Sequence, residues 1–211
     1  MTLNFTELEA AEQRVRDAVM RSAQASDGAL YPLDLLTWAV GNRTASLVRG
    51  FRVLIESRNL AIAGATLRMQ LDTYLRFMAA WYAPDPHEFA HAVLRGTRVS
   101  RLKDREGKKL TDNRLVEIAS AENPWIASVY DLTSGFVHFS RSHVISVGRE
   151  IKDNASGLGL ELSGEDPTNA TDESRREAIT CMTHIVRLVE RQVLSWAATK
   201  ARATTDEAAT T

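Results

Sequence analysis

The run from Tyr130 to His143 holds the densest set of chemically able side chains in the sequence. Read as a helix, it puts Tyr130, Ser134 and His138 at i, i+4 and i+8, on one face. Two hydroxyls and an imidazole in line can bind a phosphate or pass a proton. Histidine titrates close enough to neutrality for acid–base work. Gly135, beside Ser134, leaves room for another backbone to approach, and Ser140 and Arg141 continue the polar run. The same residues also suit a buried polar ladder, with His138 hydrogen-bonded at a helix end and Tyr130 capping a neighbour.

A second constellation lies upstream. Arg68, Asp72 and Arg76 recur every four residues in an otherwise apolar segment, so they share a helix face. Charges set into an apolar helix are costly to bury unless paired. An internal ion pair at i,i+4 meets that demand by itself. The alternative sets Arg68 against His138 across a helix interface. Arg68 then holds an anionic group, Asp72 orients the arginine or the imidazole, and His138 moves the proton. Tyr130, Ser134, Ser140, Arg141 and Arg76 would contact the substrate.

Two further patterns bear on binding. Residues 87–106 read as a helix with Arg95, Arg98, Arg101 and Arg105 along one side. From Arg95 to Lys109, seven basic and two acidic residues give a local charge of +5. Such a face can track a nucleic-acid backbone or be an ordinary solvated surface. No aromatic residue interleaves it, so base stacking is not expected there. His87-Glu88-x-x-His91 has the shape of a zinc-protease motif. It starts directly after Pro86, at a helix beginning, and its third ligand would have to be the distant His184 or Glu190. The zinc hydrolase is therefore the minor alternative, and no metal or other cofactor is expected. Cys181 reads as a small packing group.

The elements that must position these residues are helical. Residues 5–26, 31–57, 58–82, 87–106, about 111–121, 125–139 and 172–201 carry apolar residues at helical spacing. Thr6 followed by Glu9 resembles a capping box. Gly41 or Gly50 allows a kink or close packing in the second helix. The segment 58–82 has little polar surface and is expected at the centre. Ile179, Met182, Ile185, Val186, Val189, Val193 and Trp196 give the last helix its buried stripe. Between residues 143 and 163 the pattern becomes short, β-prone and turn-rich, which predicts a small hairpin. His143 reads as its entry. The expectation is an all-α bundle of five to seven helices in one domain, residues 1–203, with the hairpin before the last helix. Residues 204–211 read as a disordered tail.

Composition narrows the class. The chain has 211 residues, 44% hydrophobic and 25% charged, with net charge −1. That balance gives no global pull toward nucleic acid or membrane. Its 21 Arg against 5 Lys offer planar forks that suit phosphate, although a GC-rich genome gives the same bias. A single cysteine builds no disulfide framework and fits a reducing cytoplasm. The N-terminus has no secretory pattern and no apolar run is long enough to span a membrane.

Leu67, Arg68, Asp72, Tyr74, Arg76 and Phe77, followed by Tyr130, Leu132, Val137, His138 and Ser140, resemble the motifs of an uncharacterised bacterial helical family. Its pattern is Leu-Arg-x-x-x-Glu in a central helix, then Tyr-x-x-Leu-Ser-x-x-Val-His-x-Ser, a hairpin and a final helix. That family resembles the HEPN superfamily of helical bundles. The resemblance covers residues 35–200 in layout and about a dozen positions in motif. It implies a homodimer and a metal-independent ribonuclease acting in stress response or phage defence. It also implies RNA or a nucleotide as ligand, and a protein partner such as an antitoxin. Two departures stand out. HEPN ribonucleases carry an Arg, four to six other residues, then the His; that Arg would fall at 131–133, where this chain has Asp131, Leu132 and Thr133. Asp72 stands where the family has Glu. A non-catalytic helical module binding a nucleotide or a protein partner is the alternative.

Overall fold

Apolar side chains at helical spacing, stopped by Pro, Gly and capping residues, fold the chain into seven helices among the described residues. The computed structural model describes residues 3–138, 148–150, 158–160, 166 and 170–208. The helices are α1 (Thr6–Gln24), α2 (Pro32–Glu56), α3 (Leu60–Tyr82), α4 (Pro86–Leu94), α5 (Asp112–Glu122), α6 (Trp125–Val137) and α7 (Asp172–Ala208). The fold class is all-α. No helix is long and apolar enough to cross a membrane among the described residues.

Helix α3 is the centre, as its composition predicts. It packs on α2, α6 and α7, and more lightly on α4 and α5. Leu71, Leu75, Phe77 and Met78 are buried there with Phe51, Ile55, Met182, Ile185 and Val189 in one core. Every residue of the expected α7 stripe is buried. Among the described residues helices α1 and α7 make the most extensive pairing. Gly41 lets α2 approach Val19 of α1, whereas Gly50 faces open space. Most of the apolar surface of α3 is buried inside one chain, with Ile62, Met69 and Tyr82 left exposed.

Several boundaries differ from expectation. Asn4 Oδ1, not Thr6, accepts the first free amide of α1, from Thr6 N–H at 2.9 Å. Glu9 pairs instead with Arg52 of α2. Helix α4 stops at Leu94, not near residue 106. Gly96 adopts φ +88°, its N–H meets Val93 O at 2.9 Å, and Thr97 N–H meets Ala92 O at 2.9 Å. This is a Schellman closure, which needs a residue free to take the left-handed conformation. Residues 97–111 are a loop with one 3-10 turn, Val99–Arg101, and a bridge between Lys103 and Lys109. Asp104 ties that loop together, accepting from Glu106 N–H at 3.0 Å and Lys108 N–H at 2.9 Å.

At the other end, α7 runs to Ala208, so residues 204–208, expected in the tail, are helical. The stretch Ala198–Ala208 has no Gly or Pro to stop it. Within the segment 143–163, strands β1 (Gly148–Glu150) and β2 (Leu158–Leu160) pair antiparallel, with Gly148 opposite Leu160. The rest of that segment, His143 included, lies outside the described residues.

Candidate functional site

The Arg68–Asp72–Arg76 row and the α6 run meet at the seam between α3 and α6. Two sequence features make the seam tight. Arg68 lies on a helix face turned to α6, and Gly64, one turn earlier, faces Phe136. A Cβ at Gly64 would stand 2.6 Å from Cδ2 of that ring. The close approach therefore occurs at Gly64.

Arg68 is buried, with 11% of its side chain exposed. Its Nε donates to Asp72 Oδ1 at 3.2 Å, and its Nη1 donates to Tyr130 O at 3.2 Å and to Ser134 Oγ. Its Cζ lies 3.4 Å from the Tyr130 ring centroid. Ser134 Oγ passes the chain on, donating to Tyr130 O at 2.7 Å. Arg76 braces the other side of Asp72 at 3.1 Å and reaches Asp112 of α5 at 2.9 Å. Each charge in the row thus has a partner, as partly buried charges require. Burial pushes the Tyr130 phenol up, Asp112 and Asp72 add to that, and Arg68 and Arg76 oppose it. The seam is a staple of α3 to α6, stronger than a surface pair because it combines charge-assisted bonds with a desolvated ring contact.

His138 stands one turn beyond Ser134. Helix α6 ends at Val137, and His138 is its C-cap with φ −108° and ψ 142°. Its N–H still closes on Ser134 O at 3.3 Å, but its backbone is extended and its side chain is exposed. The helical line expected for three residues therefore holds for Tyr130 and Ser134 alone. Arg68 meets α6 at those two positions. Ser140 and Arg141 lie outside the described residues.

The basic segment also changes form. Arg95, Arg98, Arg101 and Arg105 are exposed, but they stand on the loop after α4, not along a helix side. Asp104 bonds Arg114 at 3.0 Å and Glu106 bonds Lys108 at 2.8 Å, which trims the local positive field. Arg105 is partly used to hold the loop, donating through Nε to Ala83 O at 3.3 Å.

The metal reading finds little geometric support. The His87 ring packs against Tyr31 and Trp196, with centroids 5.5 and 5.4 Å away. His184 faces Trp125, and Glu190 bonds Arg14 at 3.1 Å. Among the described residues no group of three His, Cys, Asp or Glu is placed to hold a metal ion. Burial pushes the Cys181 thiol up to about 11, as suits a packing group.

Sequence reasoning missed Arg43. It donates to Thr73 Oγ1 at 2.9 Å at the polar end of a cleft of about 430 Å³ with Asp72, Arg76 and Phe89. Nothing in the α2 pattern singles Arg43 out. The signal was on α3, where Thr73 sits beside Asp72. Comparison with known proteins supplies no family for the chain: no family model, curated protein or solved structure matches it.

Proposed function

We propose that this chain is a HEPN-like, nucleic-acid-directed helical effector with an inserted hairpin, and that its reactive group is His138. The observation that supports this reading is the Arg68 staple on Tyr130 and Ser134. It fixes the turn of α6 that leads directly into an exposed imidazole. In this reading Arg68 and Asp72 are positioning residues, and His138 serves as acid or base on an RNA phosphodiester. Positioned proton transfer of this kind contributes ~10²–10⁴-fold. Ser140 and Arg141 follow in sequence, and the backbone cations are Arg95, Arg98, Arg101 and Arg105. Action in stress or phage defence, a homodimer and an antitoxin-like partner belong to the same proposal.

One observation favours the second reading, recognition of a nucleotide without turnover. The donors of Arg68 go to Asp72, Tyr130 and Ser134, so this cation is not free to neutralise a scissile phosphate. A single experiment separates the two. Purified protein is incubated with mixed RNA, with and without chelator, and its melting is followed with nucleotides. Cleavage that survives chelation and is lost in His138→Ala supports the first reading. Stabilisation by nucleotides without product supports the second. Neither response removes both.

A further inference from the structure

We infer that a cleft at the N-terminal end of α6, sharing no residue with the Arg68 staple, is a nucleotide-binding site, built to stack one nucleobase and hold its phosphate. The cleft measures about 450 Å³ and lies between α1, the α5–α6 junction and α7, lined by Arg14, Asn123, Trp125, His184, Arg187 and Arg191 among others. That volume falls within the ~300–1,000 Å³ of small-molecule sites. The inference deepens the nucleic-acid-directed reading but does not rest on cleavage by His138.

The argument begins with the spacing on α7. His184, Arg187 and Arg191 stand at i, i+3 and i+7, so one helix face presents an imidazole and two guanidiniums together. Opposite them, Pro124 starts α6 and sets Trp125 in its first turn. The Trp125 and His184 rings lie 6.1 Å apart, tilted by 53°. Trp125 is half-buried and His184 exposed, which leaves an aromatic surface open to a ligand. Such surfaces stack nucleobases irrespective of sequence, because every base has a π-face.

The charges point the same way. Arg14 is held by Glu190 at 3.1 Å, and Arg187 by Glu7 at the rim. Arg191 is exposed and has no ion pair among the described residues. It carries a planar fork suited to phosphate. The cleft lining therefore holds three arginines against one glutamate, in a chain whose net charge is −1. Asn123 forms the corner between α5 and α6. Its backbone is bonded to Ala119 and Ile126, and its amide, both donor and acceptor, suits the edge of a base. Aromatic face, amide and arginine together match a nucleotide better than a bare anion. Either a free nucleotide or one residue of a single strand offers this chemistry.

The test titrates full-length protein with adenosine monophosphate, with a labelled single-stranded oligoribonucleotide and with inorganic phosphate. Wild type is expected to bind the first two saturably and phosphate far more weakly. Trp125→Ala is expected to weaken binding by roughly 5- to 150-fold, while Trp125→Phe keeps most of it. Arg191→Ala, which removes no internal ion pair, is expected to weaken binding and to lower the salt dependence on the oligonucleotide by about 0.7 in slope. A strand bound more tightly than the mononucleotide identifies a strand as the source; equal affinity identifies the free nucleotide. The inference is overturned if neither ligand binds, if phosphate binds as tightly as the nucleotide, if folded Trp125→Ala binds as wild type, or, where Trp125→Ala fails to fold, if Arg191→Ala binds as wild type. Binding without RNA products overturns the cleavage reading only, and products without binding at Trp125 overturn this one only.

Discussion

Among the described residues Lys200 and Asp34 form the most deeply buried charge pair, with 0% and 1% of their side chains exposed and 3.0 Å between Nζ and Oδ2. Lys200 also donates to Ser22 O at 3.0 Å. Asp34 accepts from Tyr31 N–H at 2.8 Å and from Trp196 Nε1–H at 2.7 Å. The pair thereby joins the C-terminal part of α7 to the last turn of α1 and the first turn of α2. Removing one partner strands a buried charge, which typically costs ~3–5 kcal/mol. Lys200→Met is therefore expected to lower unfolding stability by about that much in urea titration, and Asp34→Asn in the same chain to restore part of it. A loss below ~1 kcal/mol, the worth of an exposed pair, would contradict the burial. The pair was hidden in the sequence because Lys200 borders a Thr-rich end that reads as frayed. The Arg68–Asp72–Arg76 row was legible because i,i+4 charges on an apolar helix demand partners. Its reach to Ser134 was not, since the register of α6 against α3 is set by Gly64 and Phe136, far from either motif.

The contrast between α3 and α4 shows what spacing alone can decide at the level of elements. In α3, apolar periodicity persists to the stop at Pro84, and its bounds follow. In α4, a row of arginines imitates a helix face past Leu94, and the charge pattern conceals the weight of Gly96. The Schellman closure at Gly96 wins because it satisfies carbonyls that the arginines cannot. The seam of α3 and α6 rests on a second glycine. Gly64→Ala would press a methyl into the Phe136 ring, 2.9 Å from Cγ as well as 2.6 Å from Cδ2. Overpacking of this kind costs ~1–3 kcal/mol. The expected outcome is a lower urea midpoint, with Phe136→Leu in the same chain recovering part of the loss. An unchanged midpoint would mean that α6 can move off α3 freely, and the Arg68 staple would lose its meaning for His138.

Across the whole molecule, stability is unevenly anchored, because elements open with separate free energies. The pairing of α1 with α7 rests mainly on buried aliphatic residues such as Leu8, Val15, Val189 and Val193, which do not titrate, and the Glu7–Arg187 and Arg14–Glu190 pairs only flank them. The segment from α4 to the start of α5 depends on carboxylates. Asp85 caps α4, and the N–H groups of Glu88 and His87 hold its carboxyl below the usual range. For Asp104, desolvation pushes upward, but the Lys108 and Glu106 N–H groups and Arg114 outweigh it and hold the carboxyl low. A carboxylate lowered by folding stabilises the native state fully above its unfolded pKa, near ~3.9, and that contribution is lost as pH falls through the lower folded value. Acid should therefore loosen residues 85–111 before the α1–α7 pair. Amide hydrogen exchange followed by mass spectrometry from neutral pH into the acid range, corrected for the intrinsic rate, is expected to show protection lost first in that segment. Asp104→Asn should bring the loss to neutral pH and flatten its acid dependence. Protection that falls evenly along the chain would show that the carboxylates there do not set the acid limb, and that the loop bearing Arg95, Arg98, Arg101 and Arg105 is held by its packing alone.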